Sequence, residues 1–366
     1  MKILYITPTI KDEGGVSRVL SVKTNYLVEK FEYDIHIIAQ DSGDVPFFYD
    51  FNKKIKHHTI ILKRNRLQYL FRYCKALHHC INKINPDIIV VCDNGIKGCL
   101  FRLLIKTTIP VVFEIHCSKF IDERKSKPTL FTKSKYYVSL VLKSFAVKMF
   151  KTVILLSEES RKEWGLEKGQ IIPNPNWFTS TKKSLLNSKK AISVSRHCYE
   201  KGIDLLLLVW QKVVLQYPDW VLDIYGNMDD NKTYLKLAKE LQIEHCVNFF
   251  EPVKEIQGKY NEASIYVMTS RFEAFPMVLI EAMSSGLPCV AFDCPIGPRA
   301  LIKNDYNGFL IPEKQINLYA NCVIELIENN EVLKRIGSNA FETSKKYDLD
   351  LIMKKWNSLF ESLAKN

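Results

Sequence analysis

The sequence predicts an α/β chain of two doubly wound, Rossmann-like domains, and three observations carry that prediction. At 366 residues the chain is too long for one ordinary domain and comfortable for two. Short apolar strands alternate with helical stretches, the pattern of a parallel sheet covered on both faces. The alternation stops at a polar, strandless stretch and then begins again. The expected division is a first domain over 1–174, a linker over 175–189, a second domain over 190–345 and a last helix near 348–366.

In chain order, Lys2–Thr7 reads as a strand, Asp12-Glu-Gly-Gly-Val as a turn, and about Ser17 to Lys30 as a helix. Asp34–Ala39 and Thr59–Leu62 read as strands, Leu67–Lys83 as a helix, Asp87–Val91 as a strand and Gly98–Lys106 as a helix. Val111–His116 and Thr152–Leu156 are two further strands, separated by a basic helical stretch. After the polar connection Asn174–Lys190 come strand Ala191–Ser195, helix Ile203–Leu215, strand Val221–Tyr225, helix Lys232–Leu241 and strand Val247–Phe250. Strands at Ser264–Met268 and Pro288–Phe292 follow, and the chain from Asn317 onward reads as helical. There Leu349, Met353, Trp356 and Phe360 recur at helical spacing, so one face should pack on something.

A hydrophobic content of 47% with 25% charged residues supplies enough apolar material for two cores. Ten cysteines show no CxxC pair and read as reduced, mostly buried thiols of a cytoplasmic protein, with packing the simplest account of Cys198, Cys289 and Cys294. Neither a signal peptide nor a transmembrane helix is expected: Met1 leads directly into a strand and glycine turn, and no uncharged apolar run is long enough. The net charge of +12 is confined to one half. Residues 1–174 hold 29 Lys and Arg against 17 Asp and Glu, and the remainder holds 23 of each. The excess concentrates in Lys63–Lys75 and in Lys119–Lys151, where Phe120, Phe131, Tyr136, Tyr137, Phe145 and Phe150 are interleaved with nine basic residues. Such interleaving suits an anionic membrane surface or nucleic acid, or else describes a solvated basic face.

The chemistry-bearing motifs follow strands, where doubly wound sheets bind ligands. Ser270-Arg-Phe-Glu-Ala-Phe-Pro-Met-Val-Leu-Ile-Glu-Ala-Met283 puts Glu273 in a strand-to-helix turn and Glu281 on the helix that Pro276 opens. Free amides and the positive dipole end at that entrance suit a phosphate, and flanking carboxylates suit sugar hydroxyls. On spacing alone, a loop glutamate and a solvated helix glutamate remain the simpler account. In Ser195-Arg-His-Cys-Tyr-Glu-Lys-Gly202, Arg196 and Lys201 are spaced across a loop so that both tips can converge on phosphate oxygens, one as a fork and one as a point charge, although on spacing alone an Arg and a Lys in a basic protein mean little. Gly14 and Gly15 precede a helix and allow close backbone approach, or form a plain tight turn, and no G-x-G-x-x-G argues for a dinucleotide. Glu114 and His116, two apart at a strand end, point to one side, while Asn94 and Lys97 lie in the loop after the preceding strand. No strong D-x-D metal motif sits in a strand-end loop; Asp348-Leu-Asp350 reads as a helix start.

The 270–283 segment resembles the E-x7-E signature of the retaining glycosyltransferases of family 4, which have the GT-B fold: two Rossmann-like domains facing each other across a cleft. The resemblance implies that the final helix crosses back onto the first domain. It implies that Arg196 and Lys201 clamp a nucleotide diphosphate, that Glu273 lies near the donor sugar, and that Glu281 holds the ribose. The stretch Phe275, Pro276, Met277 and Val278 meets sugar and phosphates through its backbone amides, of which Pro276 has none; Gly14 and Gly15 face the donor, and His116 contacts the reacting centre. Glu251-Pro-Val-Lys-Glu-Ile resembles the loop that holds the nucleobase, with Val253 and Ile256 as apolar walls, while Asn94, Lys97 and Glu114 are candidates for the acceptor. Asp293-Cys-Pro-Ile-Gly-Pro-Arg-Ala-Leu-Ile302 resembles a related element but holds Ala300 where the family has glutamate, so that residue's role does not carry over. The implied activity is metal-independent, cofactor-free transfer of a hexose or N-acetylhexosamine from a UDP-sugar to a lipid-linked or oligosaccharide acceptor of polysaccharide synthesis. The implied partner is the anionic inner face of the cell membrane, with no nucleic acid. A GT-B nucleotide-sugar epimerase and a catalytically silent nucleotide-binding paralogue are the alternatives.

Overall fold

The computed structural model describes residues 1–40, 45–61, 68–120, 130–178 and 182–365, with the backbone alone over 130–135. The chain divides into two compact units: Met1–Trp177 with Asp350–Asn366, and Phe178–Leu349. Parts of the two expected basic stretches, 63–67 and 121–129, lie outside the described residues.

Unit 1 alternates β1 (Lys2–Ile6), α1 (Gly15–Phe31), β2 (Asp34–Ala39), β3 (Lys56–Thr59), α2 (Tyr69–Ile84), β4 (Ile88–Val91), α3 (Ile96–Cys99), α4 (Phe101–Leu104), β5 (Val111–Glu114), α5 (Leu130–Val147), β6 (Thr152–Leu155), α6 (Glu158–Trp164) and β7 (Gln170–Ile171). All its strand pairs are parallel, in the order β3-β2-β1-β4-β5-β6-β7. Strands such as Ile88-Ile-Val-Val91 are buried on both faces, so they carry no polar alternation. The order reverses between β1 and β4, which leaves a gap in the covering loops at their carboxyl ends.

Unit 2 repeats the plan with β8 (Lys190–Val194), α7 (Ile203–Val214), β9 (Val221–Tyr225), α8 (Thr233–Glu240), β10 (Val247–Phe250), α9 (Gln257–Asn261), β11 (Ile265–Met268), α10 (Met277–Ser284), β12 (Cys289–Phe292), α11 (Gly297–Leu301), β13 (Gly308–Ile311), α12 (Ile316–Glu328) and α13 (Asn330–Ser344). Its sheet is parallel throughout, in the order β10-β9-β8-β11-β12-β13, with the reversal between β8 and β11. Trp210 of α7 is fully buried among Leu206, Leu207 and Val213. The Tyr319 hydroxyl of α12 accepts from the Met268 amide at 2.9 Å and donates to Val290, tying two strands together. The last helix, α14 (Leu349–Ala364), belongs to unit 1 from Asp350 onward. Its Trp356 and Phe360 are buried, and Tyr33 Oη donates to Asn357 Oδ1 at 2.6 Å.

Several details depart from the expected elements. The third strand is Lys56–Thr59, pairing with His36–Ala39, whereas the expected Thr59–Leu62 ends on a residue outside the described ones. This polar edge strand has no apolar run to announce it. The short strands β7 and β13 were not expected. Within the expected linker the boundary between the units falls between Trp177 and Phe178, and on the unit 2 side the Ser184 amide donates to Ser285 O at 2.9 Å. All ten cysteines are free thiols.

On the β2–β3 edge His36 Nδ1 lies 2.9 Å from His58 Nε2, with the rings stacked at 5.2 Å. Burial lowers the pKa of both below the ordinary 6.5, while Asp34 pulls His36 partly back. The unfolded chain therefore binds more protons just below that value. The pair's stabilisation is complete above 6.5 and is lost as pH falls through the folded pKa values. Melting temperature should drop on acidification from about pH 7 to about pH 5, and less steeply in His58→Gln. Identical pH slopes in the two proteins would remove the pair as a source of that loss.

Candidate functional site

In unit 2 the loops after β8 and β11 meet at the switch point and are laced together. Gly202 has φ +65°, and a Cβ there would lie 2.1 Å from Thr269 O, so only glycine permits the approach. Thr269 Oγ1 donates to Gly202 O at 2.8 Å, and the Arg271 amide donates to Glu200 O at 2.8 Å. The Arg271 guanidinium forks onto Asp204 at 2.9 and 2.6 Å and covers the Tyr199 ring. The consequence is that Lys201 Nζ sits 2.6 Å from Glu273 Oε1, across 72 residues of chain, and the same oxygen accepts from Ser270 Oγ at 2.8 Å. Arg196 is exposed, and its guanidinium makes no hydrogen bond or ion pair among the described residues.

Pro276 is the N-cap of α10, one position earlier than the first-turn place expected for it, and Met277 begins the helix. No side chain caps this end, and Met277 and Val278 are half-buried. Phe275 is buried against Tyr347, with ring centroids 5.8 Å apart. Glu281 is buried and accepts from Tyr260 Oη at 2.9 Å.

The Asp293–Ile302 element braces this loop. Gly297 N donates to Glu273 O at 3.0 Å, and a Cβ on Gly297 would lie 2.7 Å from both Glu273 Cβ and Pro276 Cδ. The contact requires Ile296 to adopt φ 78°, ψ −74°, the strained form of the γ-turn, closed by Gly297 N to Pro295 O at 3.2 Å. Arg299 is paired with Asp293, and Ala300 is half-buried. In the 251–256 loop Val253 is exposed while Ile256 is buried at the N-cap of α9, so Val253 is the wall that presents surface.

In unit 1 Gly14 caps α1 with an ordinary φ of −67°, and a Cβ on Gly15 would meet nothing within 4 Å. Open ground at Gly15, rather than backbone strain, is what the pair provides. Asp12 Oδ1 accepts from the Gly14 amide at 3.2 Å and from Ser17 Oγ.

The three acceptor candidates all have partners within unit 1, and of the three Glu114 is the one that is fully buried. Glu114 is fully buried, with Lys23 Nζ at 2.6 Å, His116 Nε2 at 3.3 Å and Cys92 Sγ donating at 3.4 Å, so it has no face for a ligand. Asn94 spends its amide on the strand end, donating to Glu114 O at 2.8 Å and accepting from the His116 amide. Lys97 is held by Gln40 and sits over the Tyr73 ring at 4.8 Å. Lys23, absent from the sequence reading, is fully buried with its ammonium 3.6 Å from the Trp356 ring of α14. Its signal was positional: it stands four residues from Val19 and from Leu27, on the buried face of α1. Ser270, Tyr260, Ile296 and Gly297 were likewise missed as partners of the two glutamates.

Cys92, Glu114 and His116 bring ligand atoms within 4.8 Å of one another. The Lys23 ammonium already supplies a cation to that set. Burial opposes the charge on Glu114, but Lys23 and His116 hold its carboxyl well below the ordinary range. Burial, reinforced by Glu114, pushes the Cys92 thiol up, so the set presents no thiolate.

Comparison with known proteins agrees with this architecture. Residues 178–343 match the family model described as glycosyl transferases group 1. The chain is 30% identical over 370 residues to an uncharacterized glycosyltransferase of Haemophilus influenzae, covering 98% of this chain and 99% of the relative. It is 25% identical over 371 residues to the amylovoran biosynthesis glycosyltransferase AmsD of Erwinia amylovora, covering 98% and 99%. S. aureus TarM in complex with fondaparinux, alpha-GlcNAc-glycerol and UDP superposes with a TM-score of 0.77 at 17% identity, over 98% of this chain and 99% of that one. The two parallel-sheet units are those of the GT-B fold, and the chain belongs to the glycosyltransferases, with a group 1 domain over residues 178–343.

Proposed function

We propose that this glycosyltransferase is a retaining enzyme of family 4 that moves a hexose or N-acetylhexosamine from a UDP-sugar to a lipid-linked glycan acceptor of cell-surface polysaccharide synthesis. The observation that carries the reading is the Lys201–Glu273 contact at the unit 2 switch point, with Arg196 on the same loop making no ion pair among the described residues and an uncapped α10 nearby in the sequence. AmsD by its name, and UDP in the TarM complex, support the substrate class.

In this reading the anomeric C–O bond to the diphosphate breaks and its electron pair leaves on a phosphate oxygen. Arg196, Lys201 and the free amides at the α10 entrance stabilise that charge. Glu273 fixes the lysine amine while leaving it donors for phosphate, and Glu281, braced by Tyr260, takes the ribose hydroxyls. The acceptor hydroxyl attacks from the face the diphosphate leaves. Its oxygen bonds to the anomeric carbon, and its proton passes to the departing phosphate. His116 contributes at the sugar. Because side chains and a helix end supply the positive charge, transfer should persist in EDTA.

The membrane part of the reading rests on α5 and the turn that follows it. Tyr137, Val138, Val141, Leu142, Phe145 and Met149 are exposed at helical spacing along one stripe, while Ala146, Val147 and Phe150 are buried. Lys148 and Lys151 stand exposed beside it. An apolar ridge flanked by cations suits the interface of an anionic bilayer. No helix of the described residues is long and apolar enough to cross a membrane.

Lys201→Ala should lower kcat by about 10²–10³-fold, with a melting temperature within about 3 °C of the parent. Turnover at the parental rate would contradict the diphosphate clamp, and a sugar isomerised without UDP release would indicate an epimerase. Vesicles containing anionic phospholipid should capture the protein in a salt-sensitive manner, and Val141→Asp with Phe145→Asp should abolish capture. Equal binding to neutral vesicles would remove the electrostatic part of the membrane reading.

A further inference from the structure

The unit 1 cluster around Glu114 has more internal order than packing requires. His116 Nε2 is buried and makes no hydrogen bond among the described residues, and Glu114 Oε1 lies 3.3 Å from it. The same oxygen is 2.6 Å from Lys23 Nζ, whose ammonium stands over the Trp356 face at 3.6 Å. Cys92 Sγ donates to the other carboxylate oxygen at 3.4 Å. Asn94 fixes the backbone on either side of Ile115, through Glu114 O and the His116 amide. The titratable groups around the carboxylate are thus Lys23 of α1, Cys92 after β4, His116 after β5 and Tyr5 of β1.

An ionised carboxylate only accepts hydrogen bonds, so a neutral imidazole beside it carries its proton on the nitrogen that faces it. We propose that Glu114, paired with Lys23, is a positioning residue that keeps the His116 proton on Nε2 and leaves Nδ1 as the acceptor for a hydroxyl of the sugar substrates. The pair fixes both ring orientation and proton location, as an outer carboxylate does for a catalytic histidine elsewhere. Lys23 prevents Glu114 from taking up a proton and becoming a donor to Nε2, which would invert the ring's polarity. Trp356 brings α14 into the same chain of contacts, so the last helix bears on the histidine through a cation. The functional half of this inference rests on the transfer reading above; the tautomer half does not.

Long-range nitrogen–proton NMR of the imidazoles, with His116 assigned by its loss in His116→Gln, reads the tautomer directly. The parent protein should show Nε2–H. Glu114→Gln, whose amide can donate to Nε2, should move the proton to Nδ1 and lower kcat about 10²-fold or more, with donor KM within about twofold. Glu114→Asp should retain Nε2–H. If the single variant fails to fold because Lys23 is left unpaired, Lys23→Met with Glu114→Gln removes both charges and gives the same reading. A parent carrying Nδ1–H, a glutamine variant keeping Nε2–H, or a shifted tautomer at parental kcat would each overturn the proposal. Full transfer by His116→Ala would instead sink the transfer reading while leaving the tautomer result intact.

Discussion

Parallel strands have all their carboxyl ends on one edge of a sheet, and the direction in which the chain winds must reverse somewhere along it. In unit 1 the reversal falls between β1 and β4, and in unit 2 between β8 and β11. At that place the two neighbouring loops depart toward opposite faces and leave backbone uncovered. The chain uses it in both halves. Gly14 and Gly15 follow β1, Asn94 follows β4, Arg196 and Lys201 follow β8, and Glu273 follows β11. Every loop discussed above is placed by sheet topology before any side chain is considered.

Two lysine–glutamate pairs stand at these ends, with the same 2.6 Å separation and opposite surroundings. Lys23 and Glu114 are sealed from solvent, where an isolated charge is expensive and a paired one costs about 3–5 kcal/mol to break. Neither has a free face, so the pair acts on its neighbours. Lys201 and Glu273 keep about a fifth and a tenth of their side-chain surface accessible. That leaves the ammonium with donors for an incoming anion. Burial, not residue type, separates the internal pair from the one available for chemistry.

Close backbone contact is the second device. Gly202 against Thr269 and Gly297 against Glu273 each leave no room for a Cβ, and the second contact is held by a strained turn at Ile296. A β-branched residue at positive φ persists only where its surroundings over-determine it. Here the Gly297 amide and the burial of Ile296 do so, and the result is a fixed carbonyl on Glu273. Rigidity at this loop matters because Lys201 takes its position from the Glu273 side chain.

The sequence by itself determined the two-part α/β plan, the parallel sheets and the placing of each motif after a strand. Apolar runs and helical spacing are local, set by residues a few positions apart, and a linear reading detects them. It did not find the polar edge strand Lys56–Thr59, whose pairing depends on β2 rather than on its own composition. Tertiary structure alone decided which charged residues meet. Lys201 and Glu273 are 72 residues apart and Lys23 and Glu114 are 91 apart, and no periodicity spans such intervals. It also decided that Glu114 serves the protein's interior while Asn94 and Lys97 stay half-buried, because burial is a property of what packs against a residue and not of the residue itself.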